Sequence, residues 1–294
     1  MNMSRTACGH AAAFFTVVVW GVTFVCTKVL LRDFQAVEIL FLRFAMAFCA
    51  LYLAAPGRLP GMTLRRHAVV AAAGLTGICL YYLLENIALG HTMASNVAVI
   101  LTATPLFTAV VGRFVFRSGE KLGTSFYAGF IVAMTGICLI SFNGSRLSLN
   151  PAGDLLAVTA GFVWAFYACL TSIMGTWGIS SIQITRATFA WGILFMLPFM
   201  SFFGFSWDMT RLLNPVNLSN MLFLGLVASA LCFTTWNMAV RALGTVRASL
   251  YIYLVPVITV AVSVVVLDEP LTWMSALGTV FTLAGLFLSQ SGRR

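Results

Sequence analysis

Residues 96–136 read NVAVILTATPLFTAVVGRFVFRSGEKLGTSFYAGFIVAMTG. An apolar run carries Pro105, a basic gap carries Glu120, and a second apolar run carries Gly129 and Gly136. The same order returns in residues 247–285, RASLYIYLVPVITVAVSVVVLDEPLTWMSALGTVFTLAG, with Pro256, Glu269, Gly278 and Gly285 in the matching places. In both copies the first glycine follows the glutamate by nine residues and the second follows by seven more. Such a match indicates an internal duplication, and it sets the fold that the rest of the chain must fit.

Working backwards from Pro105 and Pro256 without a gap, Gly74 falls on Gly225, Asn86 on Asn237 and Ala88 on Ala239. With small length changes Trp20 meets Trp164 and Arg43 meets Arg186. The repeat therefore fills the chain, and the two units are set at 1–146 and 147–294. Apolar runs long enough to cross a bilayer, about 20 residues each, are expected near 11–31, 36–55, 68–90, 95–114, 123–143, 153–174, 181–205, 219–240, 246–267 and 272–290. The gaps are short and hold turn formers such as Pro56-Gly57, Asn214-Pro215 and Glu269-Pro270. The fold class is an all-α membrane protein of ten transmembrane helices in two five-helix repeats. Five is odd, so the second repeat crosses in the opposite sense, a plan common among secondary transporters.

Composition agrees. The chain is 61% hydrophobic and only 9% charged, where a soluble domain is about a quarter charged. The net charge of +9 comes from Lys and Arg in the gaps, which is a membrane-surface pattern; no nucleic-acid partner is expected. Eleven of the seventeen basic residues fall in gaps on one side and three on the other. That bias puts both termini in the cytoplasm of a multi-pass plasma-membrane protein. The first run lacks a small-residue cleavage pattern and is expected to be a retained helix. Seven cysteines are scattered singly, with no CxxC, and are expected to act as small packing residues.

The ordered set of Trp20-Gly21, Arg43, Ala88, Pro105, Glu120-Lys121-Leu122, Gly129 and Gly136, then Trp164, Arg186, Pro256, Glu269-Pro270-Leu271, Gly278 and Gly285, resembles the drug/metabolite transporter superfamily, in its branch with two EamA-type repeats. The resemblance covers nearly the whole chain. It implies ten helices in two inverted halves and movement of small organic solutes across a plasma membrane. Many relatives start the second span with proline where this chain has Gln35, and the second copy has Ala165 in place of Gly21.

Ionisable and amphipathic residues inside the spans mark the candidate site. A charge in a span costs roughly 2.5–3.5 kcal/mol on insertion scales, so Glu85 is a candidate for proton uptake or for holding a substrate ammonium, with a helix-end carboxylate reaching interface water as the alternative. Tyr82, Asn86 and Trp20 in the first half, with Trp164, Trp236, Asn237 and Tyr253 in the second, are expected to line a solute path, since Tyr and Trp offer an apolar face plus one hydrogen bond. The alternatives are helix glue for the asparagines and core or interfacial packing for the aromatics. Pro105 and Pro256 are expected to kink their spans and serve as gate elements. Arg43, Arg186 and Lys28 are expected to snorkel towards headgroups, with anion recognition, or an ion pair with Glu38, as the alternative for the arginines. The four repeated glycines are expected at close helix contacts.

No phosphate loop and no HExxH occurs, and His10, His67 and His91 are far apart. Neither metal nor cofactor nor enzymatic activity is expected. The reading is a secondary transporter exporting small organic metabolites or amphipathic solutes by alternating access, with protons as a candidate coupling ion, as monomer or homodimer. A passive channel, a membrane scaffold and, least of all, an intramembrane enzyme are the competing classes.

Overall fold

The computed structural model describes residues 3–57, 59–117, 123–141, 151–243 and 250–291. Among them the regular structure is all helical. The helices are α1 (Met3–Leu30), α2 (Ala36–Ala54), α3 (Leu64–His91), α4 (Ala94–Phe114), α5 (Thr124–Ser141), α6 (Pro151–Gly175), α7 (Ser181–Phe202), α8 (215–243), α9 (Val255–Leu267) and α10 (Trp273–Ser291). Seven of these, α1 to α4 and α6 to α8, are long and apolar enough to cross a membrane, while α9 and the described part of α10 are shorter apolar helices. The repeated Glu120 lies outside the described residues.

Helix ends follow local chemistry. Gln35 and Glu38 form a reciprocal capping box at the start of α2. Asn214 caps α8 through the Val216 amide at 2.9 Å, with Pro215 in the first turn. Large apolar side chains such as Leu194, Val265, Val280 and Phe287 stay exposed on the outer faces, as lipid contact requires.

Packing obeys the sequence duplication. If α1–α5 are matched to α6–α10, the contacts of one half recur in the other with roles exchanged. Helix α1 packs on α8 and α9, and α6 packs on α3 and α4. Helix α2 packs on a π-helical turn of α8 (Phe223–Leu231), and α7 on a π-helical turn of α3 (Gly74–Leu80). The matched helices α5 and α10 share the broadest contact. There a Cβ on Gly136 would meet the Gly278 carbonyl at 2.5 Å, and one on Gly285 would meet the Gly129 carbonyl at 2.5 Å. Early residues of one helix face late residues of the other, so these two run antiparallel. The same holds for α2 and α7. Arg186 near the start of α7 donates to the Ala55 and Gly57 carbonyls beyond the end of α2. Glu38 near the start of α2 accepts from the Ser206 amide beyond the end of α7.

The prolines act differently from the expected mid-helix kinks. Helix α4 breaks into a turn at Thr102 and Ala103, and Pro105 stands in the first turn of its second half, Thr104–Phe114. Pro256 likewise stands in the first turn of α9, after a 3-10 stretch Leu250–Leu254. Proline lacks an amide hydrogen, and the first helical turn is where that amide has no carbonyl partner. Carbonyls before the first break are met by hydroxyls: Thr102 Oγ1 donates to Val99 and Thr104 Oγ1 to Leu101, at 2.5 and 2.6 Å. The break in α4 is therefore closed locally.

The α5–α10 crossing gives a direct test. Gly285→Ala places a methyl 2.3 Å from the Ala133 amide nitrogen, and such overpacking costs about 1–3 kcal/mol. Its thermal unfolding midpoint in detergent is expected to fall clearly. Gly90→Ala, where nothing lies within 4 Å, is expected to leave the midpoint unchanged.

Candidate functional site

The π-helical turn of α3 ends with the Tyr81 amide donating back five residues to Thr76. The turn after it carries Tyr81, Tyr82 and Glu85. Glu85 is 2% exposed and stands one helical turn after Tyr81 and Tyr82, whose rings pack against each other.

Arg43 sits midway along α2 and is 1% exposed, so the expected snorkelling does not occur: its neighbours on every side are protein. Nε donates to Ser229 Oγ at 3.0 Å, and that hydroxyl donates on to the Leu224 carbonyl, five residues back in the π-helical turn of α8, at 2.8 Å. The guanidinium lies over the Tyr82 ring at 4.6 Å and the Phe44 ring at 5.1 Å, a cation–π arrangement. Its Nη1 is buried with no hydrogen-bond partner.

Around this cation runs a chain of rings in contact. It goes from Trp236 to Trp20 (5.2 Å), Phe233, Phe189, Phe44, Tyr82, Tyr81, Trp164 (4.5 Å) and Tyr167. Five helices contribute besides α2, so the chain spans the junction of the two halves. Trp20 Nε1 donates to the Ala228 carbonyl at 3.2 Å, which fixes its indole.

Of the residues singled out in the sequence, Trp20, Tyr82, Glu85, Trp164 and Trp236 come together here. Asn86, next to Glu85, turns to the Ala36 carbonyl at 3.1 Å and ties α3 to the start of α2. Asn237 is half-buried on α8. The side chain of Tyr253 lies outside the described set. Arg186, the sequence match of Arg43, is spent on the two carbonyls at the end of α2. Residues that sequence reasoning missed are Ser229, Phe44, Phe189 and Phe233. Ser229 has no polar match in the first copy, where Ile78 stands, and the phenylalanines are indistinguishable from packing residues by pattern alone.

Two carboxylates fasten the end of the bundle where α1 finishes and α2 begins. Glu38 takes two bonds from Arg211, at 2.9 and 3.0 Å, not one from Arg43. Glu269 accepts from the Ala94 amide (2.7 Å), the Ser95 amide (3.2 Å) and Ser95 Oγ (2.7 Å), and pairs with Lys28 at 3.2 Å. Lys28 also donates to the Thr92 carbonyl at 2.6 Å, so it points inward to a latch and not outward to headgroups. The turn that delivers Glu269 has Asp268 at φ 54°, the left-handed region, which aspartate tolerates better than most residues. Met93 offers α4 no side-chain cap; Glu269 supplies it from across the bundle, where the helix dipole favours negative charge. A cavity of about 10 Å³ lies beside it, lined by Ser95, Asn96, Ser263 and Ser275 among others. Burial pushes the Glu269 carboxyl up, but the Ser95 hydroxyl, the Lys28 charge and the two amides outweigh it and hold it below the ordinary carboxylate value. Among the described residues no group of three or more His, Cys, Asp or Glu could hold a metal.

The model of the EamA-like transporter family matches residues 7–142 and again 151–290. The chain belongs to that family. It is 27% identical over 293 residues to an "Uncharacterized transporter" of Archaeoglobus fulgidus, covering 96% of this chain and 97% of the other. It is 28% identical to a "Probable amino-acid metabolite efflux pump" of Escherichia coli (strain K12), covering 96% and 94%. A "Probable terminal-alkyne amino-acid exporter" of Streptantibioticus cattleyicolor is 25% identical over 94% and 91%. A solved crystal structure matches over 100% of both chains with a TM-score of 0.66 at 17% identity, which is a likeness of fold. The duplication read in the sequence is thus the two-repeat pattern of a transporter family.

The Glu269 latch is testable by hydrogen exchange. Glu269→Gln is expected to speed exchange of the Ala94 and Ser95 amides about tenfold, since bonds to charged groups contribute about 1.5–3 kcal/mol. A carboxyl held low when folded adds stability above its unfolded value and loses it as pH falls through the folded one. Protection of these amides in the wild type, relative to the intrinsic exchange rate at each pH, is accordingly expected to persist at neutral pH and to fall only under clearly acidic conditions.

Proposed function

We propose that this chain is a secondary carrier that exports small organic metabolites across the plasma membrane by alternating access. In this reading ten helices span the bilayer in two units, 1–146 and 147–294, that cross in opposite senses. The carrying observation is the reciprocal packing of matched helices around a buried cation, a buried carboxylate and a chain of rings. Antiparallel α2/α7 and α5/α10 pairs support the inverted sense, and family membership supports transport. The names of the relatives put amino-acid-type metabolites first among candidate solutes.

Alternating access needs contacts that hold one end shut in one state and release it in the other. The Glu38–Arg211 and Glu269–Lys28 latches supply them. Both lie at the end of α1, which the basic-residue bias assigns to the outside, with both termini in the cytoplasm. The state described is then one closed to the exterior. Rings in contact fill the junction of the halves, which favours a carrier over an open channel. Glu85 is the group for proton coupling, because a carboxylate sealed among rings can change charge only with the state that exposes it.

Counterflow in proteoliposomes with a broad metabolite panel tests the reading. Saturable, trans-stimulated exchange of at least one solute is expected; flux that never saturates indicates a channel, and no flux across the panel refutes transport. Glu85→Gln is expected to lower exchange and to flatten the pH dependence of what remains. A pH profile unchanged by the substitution removes Glu85 from coupling.

A further inference from the structure

We infer that Arg43 is the carboxylate anchor of a site for zwitterionic amino acids, with Glu85 as the partner of their ammonium group. This rests on the transport reading and specifies the solute that the central site selects.

The buried cation has an unfilled valence. A guanidinium has five N–H donors in a planar fork that matches a carboxylate edge to edge. In this chain Nε is used by Ser229, while Nη1 is sealed from solvent and has no partner. The Tyr82 and Phe44 rings lie 4.6 and 5.1 Å from the cation, and Ser229 ties Nε, so the guanidinium is held in place before any solute arrives. Such a preset donor in a dry site is the condition under which an incoming anion is held strongly.

Charge balance points the same way. Glu85 is buried on α3 three residues after Tyr82, on the same side of the helix as the ring that faces Arg43 at 4.6 Å, and the other titratable groups around the cation are Tyr81, Tyr82, Cys26 and Cys232. One positive and one negative group thus face the same ring-lined region. A solute with a carboxylate alone meets repulsion from Glu85. A solute with an amine alone leaves Arg43 unmatched. A solute with both groups on neighbouring atoms satisfies each, and its apolar body meets Trp20, Trp164 and Trp236. Recognition by paired opposite charges discriminates more sharply than the apolar walls, because removing one solute charge strands a buried partner.

The second copy explains why one anchor suffices. Its matched positions are Arg186, tied to backbone carbonyls at the end of α2, and Trp236 in the place of Glu85. The duplication thus supplies a symmetric frame, while the charged pair comes from the first half alone.

The test uses the full chain in proteoliposomes with three probes of one shape: L-phenylalanine, 3-phenylpropionate and phenethylamine. The wild type is expected to exchange L-phenylalanine at least tenfold faster than either single-charge analogue. Arg43→Gln is expected to lower L-phenylalanine exchange at least tenfold and to remove its advantage over phenethylamine. Arg43→Lys, which keeps the charge without the fork, is expected to restore part of that advantage. Should Arg43→Gln fail to fold, Ser229→Ala replaces it: the KM for L-phenylalanine is expected to rise at least threefold with the residual phenethylamine flux unchanged. Wild-type exchange of phenethylamine equal to that of L-phenylalanine overturns the anchor and leaves the transport reading standing. The anchor is overturned in the same way if panel solutes exchange but none of the three probes does. If nothing in the panel exchanges, the transport reading falls and the anchor with it.

Discussion

A bilayer interior offers no hydrogen-bond partner, so every polar group in this chain that lies at depth must be met by the protein itself. That constraint shapes more of the structure than any single contact. It explains why Thr102 and Thr104 follow the broken first half of α4, where their hydroxyls take carbonyls released by the turn. It explains why Ser229 turns to the Leu224 carbonyl while receiving Arg43. It also isolates the exceptions among the described residues, which are Thr27 Oγ1, Asn86 Oδ1 and Arg43 Nη1. Nη1 of Arg43 is a buried donor without an acceptor, in a setting where a stranded donor is most unfavourable.

The symmetry of the scaffold and the asymmetry of its chemistry serve different ends. Matched glycines let α5 and α10 approach until backbone meets backbone, and the exchange of contacts between halves needs only apolar packing. Charges break that equivalence. Arg43 and Arg186 occupy matched positions, yet one is enclosed by rings and the other ties off a helix end. Glu85 and Trp236 are matched as well, so an ion faces the site on one side and an indole on the other. Two matched halves give a nearly symmetric frame; the buried cation and the buried glutamate both come from its first half.

Much of this is legible in the sequence. The repeat, the glycine contacts, the helical segments and the gathering of Trp20, Tyr82, Glu85, Trp164 and Trp236 follow from spacing and from the cost of polar groups in spans. What stays hidden depends on direction. Hydropathy places Arg43 within a span but does not say which face it takes, and an arginine turned inward has the same neighbours in sequence as one turned outward. The prolines mislead for a related reason: a proline in an apolar run reads as a kink, whereas a break just before it puts proline where a helix can begin. The partners of Glu38 and Glu269 are beyond reach because both pairs join residues more than 170 positions apart.

The π-helical turns in α3 and α8 carry a consequence for how the site could have arisen. A π turn accommodates one residue more than the α-helix around it, and each residue turns the following side chains by about 100°. Removing one residue from 74–80 would let α3 run on as a regular helix, but it would swing Tyr81, Tyr82 and Glu85 off the face that meets Arg43. Adding that residue to an ancestral regular helix does the reverse, bringing three side chains to the centre in a single step. In this chain a length change of one residue, far from either end of the helix, decides whether the centre is polar or plain.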